Sequence, residues 1–350
     1  HSLISGLQSE LPASVQSRLP TSTLGGQDTI SIVGYTNIAP SKMAANYWDS
    51  TQAKYWTFTR TELATMRSDM AKLHAPLYAK YPLPDPRHLS IYFQTQFAKL
   101  GKRMTFRQQA AATAQIYIKR FYLHVEARKT NPYLILATAS YLACKMEESP
   151  QHIRLLMQEA VRTWPEIGVQ DTSKIGECEF ALISTLSSRL ILHHPYRALS
   201  ELQGTLGLTS EESGLAHSII NDSYNTDLAL LYPPHVIAIA AIFLAVVLRP
   251  AHPAGLQAHS SQAAPAMGTP AMSGSAAQNA LSQNALAGFG FRQSPQKMGK
   301  LVDWLAESKV DVEAVVDATQ EMVSLYECWE SYNERACKEA ITRIVRDVPK

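Results

Sequence analysis

Two apolar runs in this chain follow one pattern of large and small hydrophobic positions. The first is Pro132-Tyr133-Leu134-Ile135-Leu136-Ala137-Thr138-Ala139-Ser140-Tyr141-Leu142-Ala143. The second is Pro234-His235-Val236-Ile237-Ala238-Ile239-Ala240-Ala241-Ile242-Phe243-Leu244-Ala245. Pairing Pro132 with Pro234 aligns proline, aromatic, aliphatic and alanine positions without a gap. Both runs are apolar on nearly every face, as expected of helices at the centre of a bundle. Beyond them the copies diverge, with Cys144-Lys145-Met146-Glu147-Glu148 in the first and Val246-Val247-Leu248-Arg249-Pro250 in the second. Lys145 is matched by Val247, so the copies share a core but not a surface. The pattern predicts a duplicated helical domain whose first copy alone carries a polar recognition site.

Elsewhere apolar positions recur at helical spacing, and local signals mark helix starts. Asn131-Pro132 places a cap residue before proline at the first helical position. Thr105-x-x-Gln108 and Thr209-x-x-Glu212 read as capping boxes. Strand-like alternation between hairpin turns is absent. The fold class is therefore all-α. Helices are expected over 87–100, 105–124, 132–148, 150–163 and 172–190 in the first copy. In the second they are expected over 195–206, 210–230, 234–248, 299–307 and 311–344. A further helix near 47–80 precedes both. On it, Trp48 and Tyr55 share one face. Trp56, Leu63, Met66, Met70, Leu73 and Leu77 make a longer face, expected to pack on the domain body.

Two stretches lack any sustained period. Residues 1–42 are rich in Ser, Thr, Gly and Gln, and Met43 follows them as a candidate natural start. Residues 251–297 are Ala, Gln, Ser, Gly and Pro, with no acidic residue. Neither can bury enough apolar area to offset chain entropy, so both are expected to be disordered. The organisation expected is an extension over 1–42, an N-terminal helix segment over 43–86, a first repeat over 87–191 and a second over 192–344. The 251–297 stretch is a loop inserted in the second repeat. It holds two minimal proline-directed phosphorylation dipeptides, Thr269-Pro270 and Ser294-Pro295.

Composition narrows the function classes. Lys+Arg number 32 against 30 Asp+Glu, which does not call for a nucleic-acid or anionic membrane partner. The longest apolar run, Val236 to Leu248, is shorter than the roughly 20 residues that span a bilayer. Cys144, Cys178, Cys328 and Cys337 form no CxxC pair or zinc-ligand cluster and read as reduced thiols of an intracellular protein. His193-His194 lacks nearby Cys or acidic ligands. Gly288-Phe289-Gly290 does not lie between a strand and a helix, so it is no phosphate loop. No nucleophile elbow, P-loop or kinase signature is present. The pattern implies no catalytic residue, cofactor or metal.

Two polar residues stand out. Lys145 ends the first apolar helix, where it serves either the helix dipole or a partner. Glu179 sits among Ile175, Leu182, Ile183 and Leu186 at helical spacing. A carboxylate in an apolar stripe is costly unless it reaches water, is paired or faces a partner. Lys119-Arg120 reads as a basic pair that is solvated or buried against local acids.

The run Leu142-Ala143-Cys144-Lys145-Met146-Glu147-Glu148 resembles the signature of the cyclin box. Glu179, within Glu179-Phe180-Ala181-Leu182-Ile183, falls on that family's second polar position. Three further segments make the chain most similar to the C-type cyclins of the Mediator kinase module. They are Asn46-Tyr47-Trp48-Asp49-Ser50-Thr51-Gln52 with Tyr55-Trp56, Phe106-Arg107-Gln108-Gln109-Ala110, and Tyr117-Ile118-Lys119-Arg120-Phe121-Tyr122. The resemblance covers about 43–250 and 298–340. It implies two five-helix cyclin-box repeats after an N-terminal helix, in a nuclear regulatory subunit without chemistry of its own. The implied partners are the cyclin-dependent kinase of the Mediator module and other subunits of that module, with no direct DNA or membrane binding. It makes Lys145 and Glu179 the polar anchors on the kinase and Met146 an apolar contact beside them. It also gives the Trp48 and Tyr55 face a part in choosing the partner. The competing class is a factor IIB-like double-repeat protein on promoter DNA. That class would want a zinc ribbon ahead of the repeats and a basic face, and this chain has no cysteine before Cys144.

Overall fold

The computed structural model describes residues 46–248 and 295–347, and every regular element among them is helical. The expected disorder of 1–42, and of 251–294 within the insertion, lies outside the described residues. The chain divides into two compact units, with the break after Leu192 and the residues from Asn333 onward grouping with the first.

The first unit opens with a 3-10 turn, Tyr47–Asp49, then α1 (Thr51–Tyr55), α2 (Arg60–Leu73) and α3 (Ala75–Lys80). The single helix expected near 47–80 is therefore broken. Thr59 is an N-cap, its hydroxyl accepting from Glu62 N–H while the Glu62 carboxylate accepts from Thr59 N–H. This capping box starts a new helix, and Ser50, extended at ψ 156° where it ends the 3-10 turn and caps α1, separates Trp48 from Tyr55. The longer apolar face is buried only in part. Trp56 and Leu63 are covered, Met66, Met70 and Leu77 are half-buried, and Leu73 is exposed.

The repeat itself is α4 (Pro86–Met104), α5 (Gln108–Tyr122), α6 (Pro132–Met146), α7 (Ile153–Thr163) and α8 (Thr172–Thr185). α6 is the centre, buried from Pro132 to Cys144 except at Tyr141, and packed on α5, α7 and α8. Its expected cap forms. Asn131 Oδ1 accepts from Leu134 N–H at 3.4 Å, and Asn131 Nδ2 reaches Ile167 O at 2.8 Å. The capping box expected at Thr105 does not form. Thr105 ends α4 in the left-handed region, with φ 51°, and its hydroxyl donates to Met104 O. An N-cap needs extended backbone, so α5 starts at Gln108 behind Arg107, which makes no side-chain cap.

The second unit holds α9 (Pro195–Thr205), α10 (Ser210–Ser223), α11 (Leu228–Leu231), α12 (Pro234–Val247), α13 (Pro295–Glu307) and α14 (Val312–Glu330). α12 is the buried counterpart of α6 and packs on α9, α10, α13 and α14. Here the capping box at Thr209 and Glu212 is present, with Thr209 N–H to Glu212 Oε2 at 2.8 Å and Glu212 N–H to Thr209 Oγ1 at 3.2 Å. Buried Glu212 also receives Lys297 Nζ, at 2.7 Å to Oε2. Lys297 was expected at the end of the disordered insertion. It lies instead in α13, which starts at Pro295.

The helix expected over 311–344 is two helices. Ser331 closes α14, and Asn333 Oδ1 accepts from Ala336 N–H at 3.1 Å to start α15 (Glu334–Asp347). α15 packs in the first unit, against α4 and the turn at Pro165–Ile167, and buries Cys337, Ile341, Ile344 and Val345. Polar contacts fasten its two ends. Glu334 meets Lys99 at 2.5 Å, and the Tyr81 hydroxyl donates to Asp347 at 2.6 Å.

Candidate functional site

The end of α6 and the middle of α8 bring the two polar residues of the first repeat together. Lys145 Nζ lies 2.7 Å from Glu179 Oε1. The Lys145 side chain is 44% exposed and that of Glu179 is 14% exposed, so the pair sits at the rim of the apolar layer. The Lys145 ammonium also lies 5.0 Å from the centroid of the Tyr141 ring, which holds its stem against α6. Glu179 thus meets the cost of its apolar surroundings by pairing, while water still reaches the lysine.

The neighbours of Lys145 are arranged by the end of α6. Glu147 accepts from the Thr113 hydroxyl at 2.6 Å, tying the helix end to α5. Glu148 turns the chain in the left-handed region with φ 52°, and Ser149 N–H returns to Cys144 O at 2.9 Å. Cys144 is buried, and that burial pushes its thiol up to about 11. Its thiolate is not available at neutral pH, so it is packing and not a nucleophile. Met146 is 38% exposed at the same helix end.

Phe180 went unnoticed in the sequence. It follows Glu179 on α8 and is 73% exposed. The signal was present, since an aromatic residue sits off the apolar stripe of a helix whose stripe is already filled. α8 therefore presents an acid that is paired and a ring that is not covered.

The N-terminal residues fare differently from each other. Trp48 is 49% exposed in its 3-10 turn. Tyr55 is half-buried beneath the Arg189 guanidinium, whose centre is 3.6 Å from the ring centroid. Trp48 is the more exposed of the two.

Arg120 departs from the sequence expectation. Lys119 bonds the Ser90 hydroxyl at 2.9 Å. Arg120, however, is fully buried with no acid beside it, and among the described residues its guanidinium nitrogens have no hydrogen-bond partner. It lies 4.7 Å from the Trp56 ring, and burial pulls its pKa down to about 9. It stays cationic at neutral pH, so the ring face stands in for a counter-ion. The contact anchors the N-terminal segment to α5.

Among the described residues no group of three or more His, Cys, Asp or Glu could hold a metal ion. No helix among them is long and apolar enough to cross a membrane.

Comparison with known proteins gives the class and then the closer kin. The family model of the cyclin N-terminal domain matches residues 79–191, a span that contains α4 to α8, Lys145 and Glu179. A cyclin-like subunit of RNA polymerase II holoenzyme from Emericella nidulans is 55% identical over 304 residues, covering 87% of this chain and 98% of that one. The protein of the same description from Aspergillus oryzae is 55% identical over 307 residues, with the same coverage. A chain in the structure of the CAK complex from Chaetomium thermophilum bound to ATP-gamma-S shares the fold. Its TM-score is 0.54 at 19% identity, with 86% of each chain covered. The chain belongs to the cyclin family. It is a regulatory subunit, and the catalysis it governs belongs to a kinase.

Proposed function

We propose that this chain is the cyclin of the Mediator kinase module, and that it binds and activates the module's cyclin-dependent kinase in RNA polymerase II transcription. Its place of action is then the nucleus. Similarity to the holoenzyme cyclin-like subunits supports the transcriptional assignment. The observation that carries the docking mode is the Lys145–Glu179 pair, formed in the first repeat where the second has Val247.

The pair suits recognition of main-chain groups. Lysine has three donor hydrogens, and Glu179 takes one of them. The other two can meet kinase carbonyls, and the second carboxylate oxygen can accept a kinase N–H. A charge-assisted bond of this kind contributes about 1.5–3 kcal/mol before desolvation is subtracted. These groups therefore set orientation, while apolar burial on Met146 and Phe180 supplies affinity. In this mode the cyclin stabilises the inward position of the kinase C-helix, whose glutamate then pairs with the ATP-binding lysine. Trp48 rather than Tyr55 is the element of the N-terminal segment that reaches a partner, since Arg189 already covers Tyr55.

The test is reconstitution with the purified kinase, with and without the remaining module subunits. Wild-type cyclin should form the complex and raise phosphorylation of a polymerase tail peptide, while the cyclin alone turns over no ATP. Retention of full affinity by a folded Lys145→Ala/Glu179→Ala variant would remove the docking assignment.

A further inference from the structure

A concave pocket of about 500 Å³ lies along α15 in the first unit. Its lining holds four cations, Arg335, Lys338, Arg343 and Arg346, against two carboxylates, Glu166 and Glu339. Four of these six groups neutralise one another. Arg335 Nε is 2.8 Å from Glu339 Oε1, and Lys338 Nζ is 2.8 Å from Glu166 Oε1. Arg343 and Arg346 are left over. Among the described residues neither has a carboxylate within ion-pair distance, and the Arg343 guanidinium has only the Tyr81 ring, at 5.9 Å.

Cations at the end of a helix complement its dipole. One exposed arginine does that on a convex surface. It accounts neither for two arginines one turn apart nor for their place in a concavity with two further cations on its wall. The excess is local, because the whole chain carries a formal net charge of only +2. The two carboxylates in the lining disfavour a continuous polyanion, which would have to run past both. A single compact dianion fits better. A phosphate monoester carries a charge of about −1.5 to −2 at neutral pH and matches two guanidinium forks in charge and in geometry.

We propose that this pocket binds a phosphorylated serine or threonine side chain on a segment of a partner protein. Arg343 and Arg346 hold the phosphate. Arg335 and Lys338 each exchange part of an internal ion pair for acidic residues flanking the phosphorylated one. The site uses none of the groups assigned to kinase docking, so it stands or falls independently of that reading.

The test uses the full chain and a fluorescent peptide with one phosphoserine between acidic residues. Fluorescence anisotropy should show saturable binding to wild type. The unphosphorylated peptide should bind at least about tenfold more weakly, because a serine hydroxyl cannot engage the two forks. Arg343→Gln/Arg346→Gln should cost a similar factor while circular dichroism and the melting curve stay unchanged. Should that variant fold poorly, hydrogen exchange on the wild type supplies the readout. The phosphopeptide should then protect 334–347 and leave α6 and α8 unaffected. Equal binding of phosphorylated and unphosphorylated peptide, undiminished binding to a folded double variant, or no protection at 334–347 would each overturn the proposal. So would a single-stranded oligonucleotide that displaces the peptide at lower concentration than the free phosphopeptide does, since the lining would then be reading a polyanion.

Discussion

The central helices of the two repeats begin alike and finish differently. α6 and α12 both start at a proline and bury most of their side chains. At its end α6 offers Lys145, paired to Glu179 and open to water, whereas α12 offers the half-buried Val247. The second unit places two acids inside. Glu212 is buried and held by Lys297 and Thr209, and Asp222 is buried beneath Tyr326. Around their central helices the two repeats thus place a paired acid differently, Glu179 at an outward rim and Glu212 in internal fastening, while the first unit also buries charge at Arg120 and in the Arg128–Glu126 pair. An ionised pair at a rim remains available to a partner at little desolvation cost. A buried pair is committed to its own fold.

The comparison breaks most severely at α15, which follows the second repeat in sequence yet completes the first unit. Truncation after Tyr332 removes Ile341, Ile344, Val345 and Cys337 from that unit's core, together with the Glu334 and Asp347 contacts. At about 1.5–3 kcal/mol for each buried aliphatic side chain, the first unit should lose on the order of 5 kcal/mol or more. Differential scanning calorimetry with limited proteolysis would register this as a low-temperature transition and cleavage within 46–192. An unchanged melting profile would make α15 an appendage, and the two repeats would then be closer copies than the structure indicates.

The next effect concerns the buried acid of the second unit. Asp222 Oδ2 accepts from the Tyr326 hydroxyl at 3.1 Å, and Oδ1 has no partner among the described residues. Burial pushes this carboxyl up to about 8, the tyrosine bond offsetting only part of the rise. An unfolded aspartate has a pKa near about 3.9. The folded value is the higher one, so the stability tied to the protonated acid is complete below about pH 4. It is lost as pH rises toward and through about 8. Asp222→Asn cannot ionise and should escape that loss. Near about pH 5 the two proteins should melt much closer together than at alkaline pH. By about pH 8.5 the variant should have gained on the order of a few kcal/mol relative to wild type. A difference that does not grow with pH would show that Asp222 is ionised in the fold.

The parts of this architecture that were legible in the sequence are those governed by local chemistry. Asn131-Pro132 and the Thr209–Glu212 box act within one helical turn, and the apolar run of α6 needs no partner to be recognised. The same kind of signal was present at Thr59-x-x-Glu62, and reading it would have broken the N-terminal helix correctly. Thr105-x-x-Gln108 had the right letters, but the preceding helix claimed Thr105 as its left-handed end. Contacts distant in sequence were not legible. Nothing near Arg120 announces that Trp56 will cover it, and nothing in α15 announces Glu166 or Tyr81 as neighbours. Glu179 was singled out by its apolar surroundings, yet its pairing with Lys145 is a tertiary fact. That pairing revises what its removal does. Loss of a costly isolated acid would be neutral or stabilising, whereas loss of this one also takes the partner from Lys145.

Lys145→Ala/Glu179→Ala sharpens the contrast between the repeats directly. In the free protein the change should stay within about 1 kcal/mol, because Lys145 is nearly half exposed and water screens the pair. Kinase groups left unpaired cost about 1–3 kcal/mol, so affinity for the kinase should fall about 5- to 150-fold. Thermal melting and surface plasmon resonance on the same preparations separate the two effects. A collapse in melting with normal binding by the remaining folded protein would mark both residues as structural.

The smallest expected effect comes from making the second copy imitate the first. Val247→Lys places an ammonium at the end of α12, where the wild-type side chain is already half-exposed. The cation loses some apolar contact but complements the negative end of the helix, a gain of about 0.3–1 kcal/mol at an exposed site. These nearly cancel, and the melting temperature should move by no more than the equivalent of about 0.5 kcal/mol. Kinase affinity should stay at the wild-type value, because a lysine alone is not the site. The first repeat also supplies the acid on α8, the Glu147–Thr113 tie that fixes the helix end and the exposed Phe180. Restoration of binding by Val247→Lys in a Lys145→Ala/Glu179→Ala background would show that a single cation at the end of either central helix suffices. The polar difference between the repeats would then be one residue deep. Failure to restore binding locates the recognition site in the arrangement of α6 against α8, which the second repeat shares in its core but not in its side chains.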